Sequence, residues 1–553
     1  MVGYNEGDVI INCYNAGSVT GVIDDFVYFA GGVVGENNGT ITNCYNTGNV
    51  AGYRSVGGVV GGNTSLYDEE LDVYYNSTAT NCYNTGSIIG HDEVGGVVGD
   101  NHNSTVTDCH NTGSVTSYDS VGGVVGYNSC GVDGDEYLGY VANCYNTGSV
   151  IGTNTNAGGV VGDNYAGPVT DCYNEGNVTG NHNVGGVIGD NDGTISDCCN
   201  TGNVTGSYYV SGVIGDNYKG IISDCYNTGS VTGEWYIGGV VGCSDASTVT
   251  NCYNTGNIIG DECVGGVTGR NDGYYYNGDY LNSTINNCYN TGIVDGSCND
   301  IGGVVGFNNG GGVTNCYNTG SVTGEGCIGG VTGRNRGFSY NGIYRSSTVD
   351  KCYNTGSVTG GEDVGGVTGM NEDAEVKNCY NIGSVSGEED IGGVAGMNED
   401  TEVTNCYNIG SVSGTEYIGG VVGDIDNCTI TNCYYSVDCC ANGDEYGTAL
   451  TDEQMQAAES FEGFDFSSVW TIDGKPEYPY PELASNIHGG IQGTTPEPGD
   501  ANGDGIITIA DATIIARMAL NLTESVPAAD FNGDGNINIA DATLTARKAL
   551  NLI

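Results

Sequence analysis

Residues 250–269, TNCYNTGNIIGDECVGGVTG, decide the fold, because the same pattern fills most of the 553-residue chain. Cys-Tyr-Asn-x-Gly recurs from Cys13 to Cys433, with successive cysteines usually 26 to 28 residues apart. Between them stands Gly-Gly-Val-Val-Gly or a close variant, as at Gly95-Gly96, Gly185-Gly186 and Gly419-Gly420. The chain holds about fourteen complete units. A unit this short cannot bury a core by itself, whereas stacked units share a continuous one, so the repeats read as coils of a solenoid.

Three residues before the repeat cysteine the side chain is Val or Ile, with Ala79 the exception, and the next position is mostly Thr but admits Asp350 and Lys377. The first points inward and the second outward. Strict alternation would turn the following position inward, yet it holds Asn, Asp or Lys351. A dry core would not accept those side chains unpaired, so a bend belongs there. After the bend the cysteine faces inward and the tyrosine outward. Asn-x-Gly, as in Asn254-Thr255-Gly256, is a turn signal in which Gly, and often Asn, accepts positive φ. Stacking these turns predicts an asparagine ladder. Ser-Val-Thr-Gly follows as a second strand, and Val-Gly-Gly-Val-Val-Gly as a third whose glycines allow close backbone approach. The expected fold is therefore mainly β, a parallel β-solenoid of about fourteen three-strand coils, roughly 70 Å long at one strand spacing per coil.

This repeat resembles the GLUG motif of bacterial surface and secreted proteins, over residues 1–435. The resemblance implies an extended spacer or adhesive stalk. Composition agrees with an ordered repeat: the chain has 99 Gly but only 7 Pro, and the strict spacing of Val, Ile and Cys excludes a disordered linker. A net charge of −56 makes nucleic acid and anionic membranes poor partners. No apolar run has the length of a membrane span. Val2-Gly3-Tyr4-Asn5 reads as the tail of a unit, so upstream sequence carrying a signal peptide is expected.

Fifteen of the 24 cysteines fall in the interior column, at a spacing where free thiols and disulfides are both geometrically allowed. Cys263, Cys298 and Cys327 lie near one corner of successive coils and are a second place where pairing is open. Insertions at about 63–77, 129–140, 272–283 and 336–347 all enter at the same corner of the coil, which often marks a binding face. Two are near copies: Arg270, Tyr274, Tyr276 and Tyr280 correspond to Arg334, Phe338, Tyr340 and Tyr344. Aromatic rings beside Asn, Asp and Arg suit sugars. The alternative is that the loops pack on each other and cover the solenoid flank. No copy gathers an out-of-pattern cluster of acids with a base, so no catalytic residues are assigned.

The repeat fails at Tyr434-Tyr435, and residues 436–486 bring Trp470 and several Phe. Leu450-Thr451 followed by Gln454-Met455 predicts a short capped helix. Phe461, Phe464, Phe466, Trp470 and Ile472 are expected to cover the last coil. Residues 487–499 read as a linker.

In residues 500–553 two loops follow one design. Asp500, Asn502, Asp504, Thr508 and Asp511 place oxygen ligands at positions 1, 3, 5, 9 and 12, and Ile506 offers its carbonyl at position 7. Thirty residues later Asp530, Asn532, Asp534, Asn536, Asn538 and Asp541 repeat the pattern, with the Asn536 carbonyl at position 7. Gly505 and Gly535 permit the sharp turn of an EF-hand-like calcium loop. Two bound Ca2+ and helices at 512–520 and 542–550 are expected, giving a small all-α domain. This pair resembles a type I dockerin, the module that docks secreted proteins onto cohesin domains of a cellulosome-type scaffold. The resemblance implies that Ile509-Ala510 and Ile539-Ala540 read the partner, with Arg517, Arg547 and Lys548 as the basic positions. It also implies an extracellular protein, secreted by an anaerobic bacterium in whose surroundings thiols stay reduced.

Three functions fit these observations. One is a non-catalytic accessory rod that is docked to cohesin and presents its insertions to a plant or microbial polysaccharide. Another is a glycoside hydrolase or polysaccharide lyase whose active site lies on the insertion face or in upstream sequence. The last is a purely structural stalk.

Overall fold

The structure is a computed structural model. It describes residues 2–21, 29–68, 73–133, 136–137, 139–276, 278–340, 342–440, 446–472, 478–484, 515, 518–519, 529, 531 and 537–549. The described chain is mainly β. It divides into two compact units, Met1–Thr451 and Asp452–Ile553.

In the first unit, the coil around Cys252 has strands at Thr248–Thr250, Tyr253–Asn254, Ile258–Gly260, Glu262–Gly265 and Thr268–Asp272. Each pairs in parallel with its counterpart one repeat on, as Val249 with Ile285, Tyr253 with Tyr289 and Val264 with Ile301. Propagated along the chain, this pairing builds parallel sheets of 15, 15, 16 and 26 strands, the arrangement of a parallel β-solenoid. The expected three strands per coil become five, because the glycine pair splits the third segment and Tyr-Asn pairs as a strand of its own. A Cβ on Gly266 would lie 2.1 Å from the Gly303 carbonyl and 2.4 Å from Asn290 Cγ, so the corner closes only around glycine.

The predicted bend is present before every repeat cysteine from Asn12 to Asn432, each bending residue having positive φ. Asn and Asp tolerate this region best. Lys351 nevertheless adopts it, at φ 53. The expectation of positive φ within Asn-x-Gly is corrected: neither Asn254 nor Gly256 is left-handed. Gly256 is required instead because a Cβ would meet the Gly229 carbonyl at 2.0 Å.

The bend also explains the cysteine. The Cys252 thiol donates to the Thr250 carbonyl at 3.2 Å, and its backbone N–H donates to Cys288 Sγ at 3.4 Å. A small buried side chain that both donates and accepts meets these needs. The cysteines are free thiols. Among the repeat cysteines, those from Cys44 to Cys433 are buried. Burial pushes the thiols at Cys109, Cys225 and Cys288 well up.

Asparagines stack as expected. Asn46 donates to Asn84 at 2.7 Å, and the chain of amides runs on to Asn381 donating to Asn408 at 2.9 Å. Each amide also bridges its own turn, as Asn254 does to the Gly256 carbonyl at 2.8 Å. A second ladder, absent from the sequence reading, runs from Asn37 through Asn63 and Asn101 to Asn217, and again from Asn271 through Asn308 to Asn398. The outward tyrosines form a third column. Tyr253 and Tyr289 stack with centroids 4.9 Å apart and planes 3° from parallel.

Thr448–Leu450 adds to the end of the Tyr-Asn sheet beside Tyr434–Ser436, so the solenoid unit continues to Thr451. In the second unit a helix spans Asp452–Met455, where the capping pattern places one. Phe461, Phe464, Phe466 and Trp470 form one aromatic cluster. Trp470–Thr471 pairs with Glu482–Leu483.

Candidate functional site

All four insertions are antiparallel hairpins on the solenoid: Leu66–Asp68 with Val73–Tyr75, Val132–Asp133 with Glu136–Tyr137, Tyr274–Tyr276 with Asp279–Leu281, and Phe338–Tyr340 with Ile343–Arg345. In the last two, Gly278 and Gly342 take positive φ at the tip, as a tight hairpin turn requires.

The two near-copy hairpins pack on each other. Tyr280 meets Phe338 at 5.2 Å and Tyr275 meets Tyr340 at 5.5 Å between centroids. The Tyr280 hydroxyl donates to the Gly310 carbonyl of the intervening coil. Burial pushes this phenol up to about 12. Tyr280 is thus a half-buried strut. Tyr274 packs edge-on against Tyr218, and the Lys219 ammonium lies 4.2 Å from the Tyr276 ring centre. Exposed ring surface remains at Tyr276 (49%), Tyr340 (50%) and Tyr344 (68%).

Arg270 and Arg334 do not join these rings. Arg270 pairs with Asp272 and lies over the rings of Tyr236 and Phe307. Arg334 pairs with Asp300 at 3.1 Å and donates to Cys327 Sγ at 3.3 Å. Their neighbourhood also contains Glu262, Cys263 and Asp300, whose ligand atoms lie within 4.8 Å of one another. Cys298 is exposed and free, so no pairing joins it to Cys263 or Cys327.

A column of carboxylates escaped the sequence reading. Asp163, Asp190 and Asp216 are register partners on successive coils. Asn156 and Asn183 donate to the first two, at 3.0 and 3.3 Å. Burial, then repulsion from neighbouring aspartates (Asp190 for Asp163 and Asp216, Asp192 for Asp190), pushes their carboxyls up to about 7, 6 and 8 respectively. The acid in Val-Val-Gly-Asp-Asn and Val-Ile-Gly-Asp-Asn is visible in the sequence, but nothing there shows that it is half-buried.

In the C-terminal segment, Asp500, Asn502, Asp504, Ile506, Thr508, Ile509, Ala510, Asp511 and Arg517 lie outside the described residues, as do Asp530, Asn532, Asp534 and Asn536. The second helix spans Ile539–Ala549, beginning earlier than expected so that position 12 falls in its first turn. Asp541 there is fully buried, and its carboxylate accepts the Asn538 N–H at 2.9 Å. Asn538 and Asp541 are the two expected ligands of this loop that fall among the described residues, and both offer oxygen, the donor that Ca2+ takes. On the helix, Ile539, Thr543 and Arg547 are exposed, whereas Asp541, Ala542 and Thr545 are buried. Lys548 lies over the Phe531 ring at 5.7 Å. Ile515, Met518, Ala529 and Ala542 make a small core.

Ile539, Thr543 and Arg547 thus form an exposed stripe on a helix that buries Asp541 on another side. Residues 498–549 match the type I dockerin domain. The match spans both stretches, 500–511 and 530–541, in which the sequence repeats its oxygen-ligand pattern. Residues 90–116 and 233–259 match the GLUG motif, in two separate coils of the solenoid. No curated protein and no solved structure matches the chain. Type I dockerins bind cohesins, are generally calcium-binding and belong to extracellular, cellulosome-type assemblies. No helix among the described residues is long and apolar enough to cross a membrane.

Proposed function

We propose that this chain is an extracellular, non-catalytic accessory protein. Its dockerin, residues 500–553, holds two Ca2+ and docks to a cohesin, while its solenoid presents a polysaccharide-binding hairpin face. The docking half rests on the paired ligand sets and on the exposed Ile539-Thr543-Arg547 stripe. Ile509-Ala510 and Arg517 are the corresponding reader positions of the first segment, and Ala540 and Lys548 complete the second.

The presenting half rests on one observation. Tyr276, Tyr340 and Tyr344 keep open ring surface although the hairpins bearing them are pinned by Tyr275, Tyr280 and Phe338. Rings held rigid and wet pay little ordering entropy on stacking against a sugar. Tyr274 and Tyr280 then act as supports, and Arg270 and Arg334 fix the strands from which the hairpins rise.

The test is retention of the whole chain on insoluble plant and microbial polysaccharides in calcium, with the supernatant assayed for released sugar. Retention without release is expected. Release would make the chain an enzyme, and neither outcome would leave a structural stalk.

A further inference from the structure

A groove of about 480 Å³ lies beside the hairpin of Phe338–Tyr340 and Ile343–Arg345. It is lined by Phe338, Tyr344 and Arg345 and, from the coils that follow, by Asp373, Glu375, Asp400 and Glu402. Glu375 and Glu402 are direct register partners. Asp373 and Asp400 occupy equivalent bends, at φ 53 and 49. The carboxylates therefore repeat at the coil rise, about 4.8 Å. Among the described residues the one ion pair of the groove is Lys377 with Glu375, at 3.2 Å. The Asn427 amide donates to Asp400. Arg345, the cation in the lining, has its guanidinium 5.6 Å from the centre of the Tyr280 ring.

This combination selects a ligand class. The exposed Tyr344 ring accepts the apolar face of a pyranose ring. Carboxylates in excess over cations attract positive charge, and aromatic faces add to that attraction. Thr429, also in the lining, offers a hydroxyl to ring oxygens and hydroxyls. We infer that the groove binds a polysaccharide carrying free amino groups, with a ring against Tyr344 and its ammonium groups on Asp373, Glu375, Asp400 and Glu402. This rests on the proposed reading that the hairpin face holds saccharide, and it names the saccharide.

A basic peptide would satisfy the carboxylates equally. It would leave the Thr429 hydroxyl and the Tyr344 ring with less to do, so the two ligands separate experimentally. The whole chain, in calcium, is titrated with a β-linked glucosamine hexamer, its N-acetylated counterpart and hexalysine. The free amine form binds about tenfold more tightly than the acetylated form, and added salt weakens it. Tyr344→Ala and the double substitution Glu375→Gln with Glu402→Gln each lower its affinity about tenfold, with the β circular dichroism unchanged. Equal affinity for the acetylated hexamer overturns the inference, as does tighter binding of hexalysine. Retention on neutral polysaccharides without binding of the amine hexamer sinks the inference and leaves the proposed function standing. Retention on no polysaccharide sinks both.

Discussion

The solenoid and the C-terminal dockerin segment solve the problem of folding without a large globular core in opposite ways. The solenoid repeats one small solution, so its valines, thiols and amides each satisfy the coil before and the coil after. The described core of the dockerin segment is only Ile515, Met518, Ala529 and Ala542, with Ile537 packed against it. On the proposed function the docking segment draws folding free energy from calcium, while the solenoid draws its order from the ladders that join its coils. On that reading presentation and docking are separable: an ion switches the second without touching the first.

Calcium removal is the sharpest way to break that contrast. With calcium at about a thousand times Kd, a single site adds about 4 kcal/mol to stability. Chelation should abolish the calorimetric transition of the dockerin segment and leave the solenoid transition in place. Asp541→Ala should reproduce half of this, by removing a ligand from the second loop alone.

Next in size is a break in the first asparagine ladder. Asn254→Ala strands the buried Asn227 donor and the Asn290 acceptor and frees the Gly256 turn. A cost of about 2–4 kcal/mol is expected, because buried groups lose partners. Thermal unfolding should show the loss equally with and without calcium.

The aspartate column gives a smaller effect, with a defined sign. Its folded carboxyls titrate at about 6 to 8, above the unfolded value, so the folded state binds more protons between roughly pH 4 and pH 8. Solenoid stability should therefore fall as pH rises through that window. Asp216→Asn should raise the melting temperature at pH 8 by several degrees and flatten the dependence, whereas an unchanged profile would place the charge elsewhere.

The smallest effect is a repair. The second ladder breaks at Ser244, register partner of both Asn217 and Asn271. Asn217 Nδ2 and Asn271 Oδ1 are buried there without a hydrogen-bond partner. Ser244→Asn should rejoin the ladder and stabilise the solenoid by about 1 kcal/mol. Destabilisation would show that Ser247 and Ser283 have taken the space.

Sequence spacing carried the inward valines, the thiol column, the bend before the cysteine and the first asparagine ladder, because each is a recurring identity at a fixed position; that the bend, and not Asn-x-Gly, takes the positive φ was not legible. The number of strands per coil was not legible, since glycine pairs read alike whether a strand passes through them or stops. The second ladder was hidden within Val-Gly-x-Asn, where a polar residue at a strand end looks exposed. The near-copy hairpins were visible, but that Tyr280 supports while Tyr344 is offered depends on packing between coils two repeats apart. The groove could not be seen at all. It exists only where the second hairpin lies beside the acids of the coils that follow.

The central claim, that one chain docks at one end and holds polysaccharide along the other, is tested most directly by bridging. A labelled cohesin protein is mixed with an insoluble amine-bearing polysaccharide, with and without the chain. The cohesin should sediment only when both the chain and calcium are present, and Tyr344→Ala should release it while leaving cohesin bound to the soluble chain. Sedimentation that persists in chelator, or cohesin binding without any sedimentation, would contradict the account.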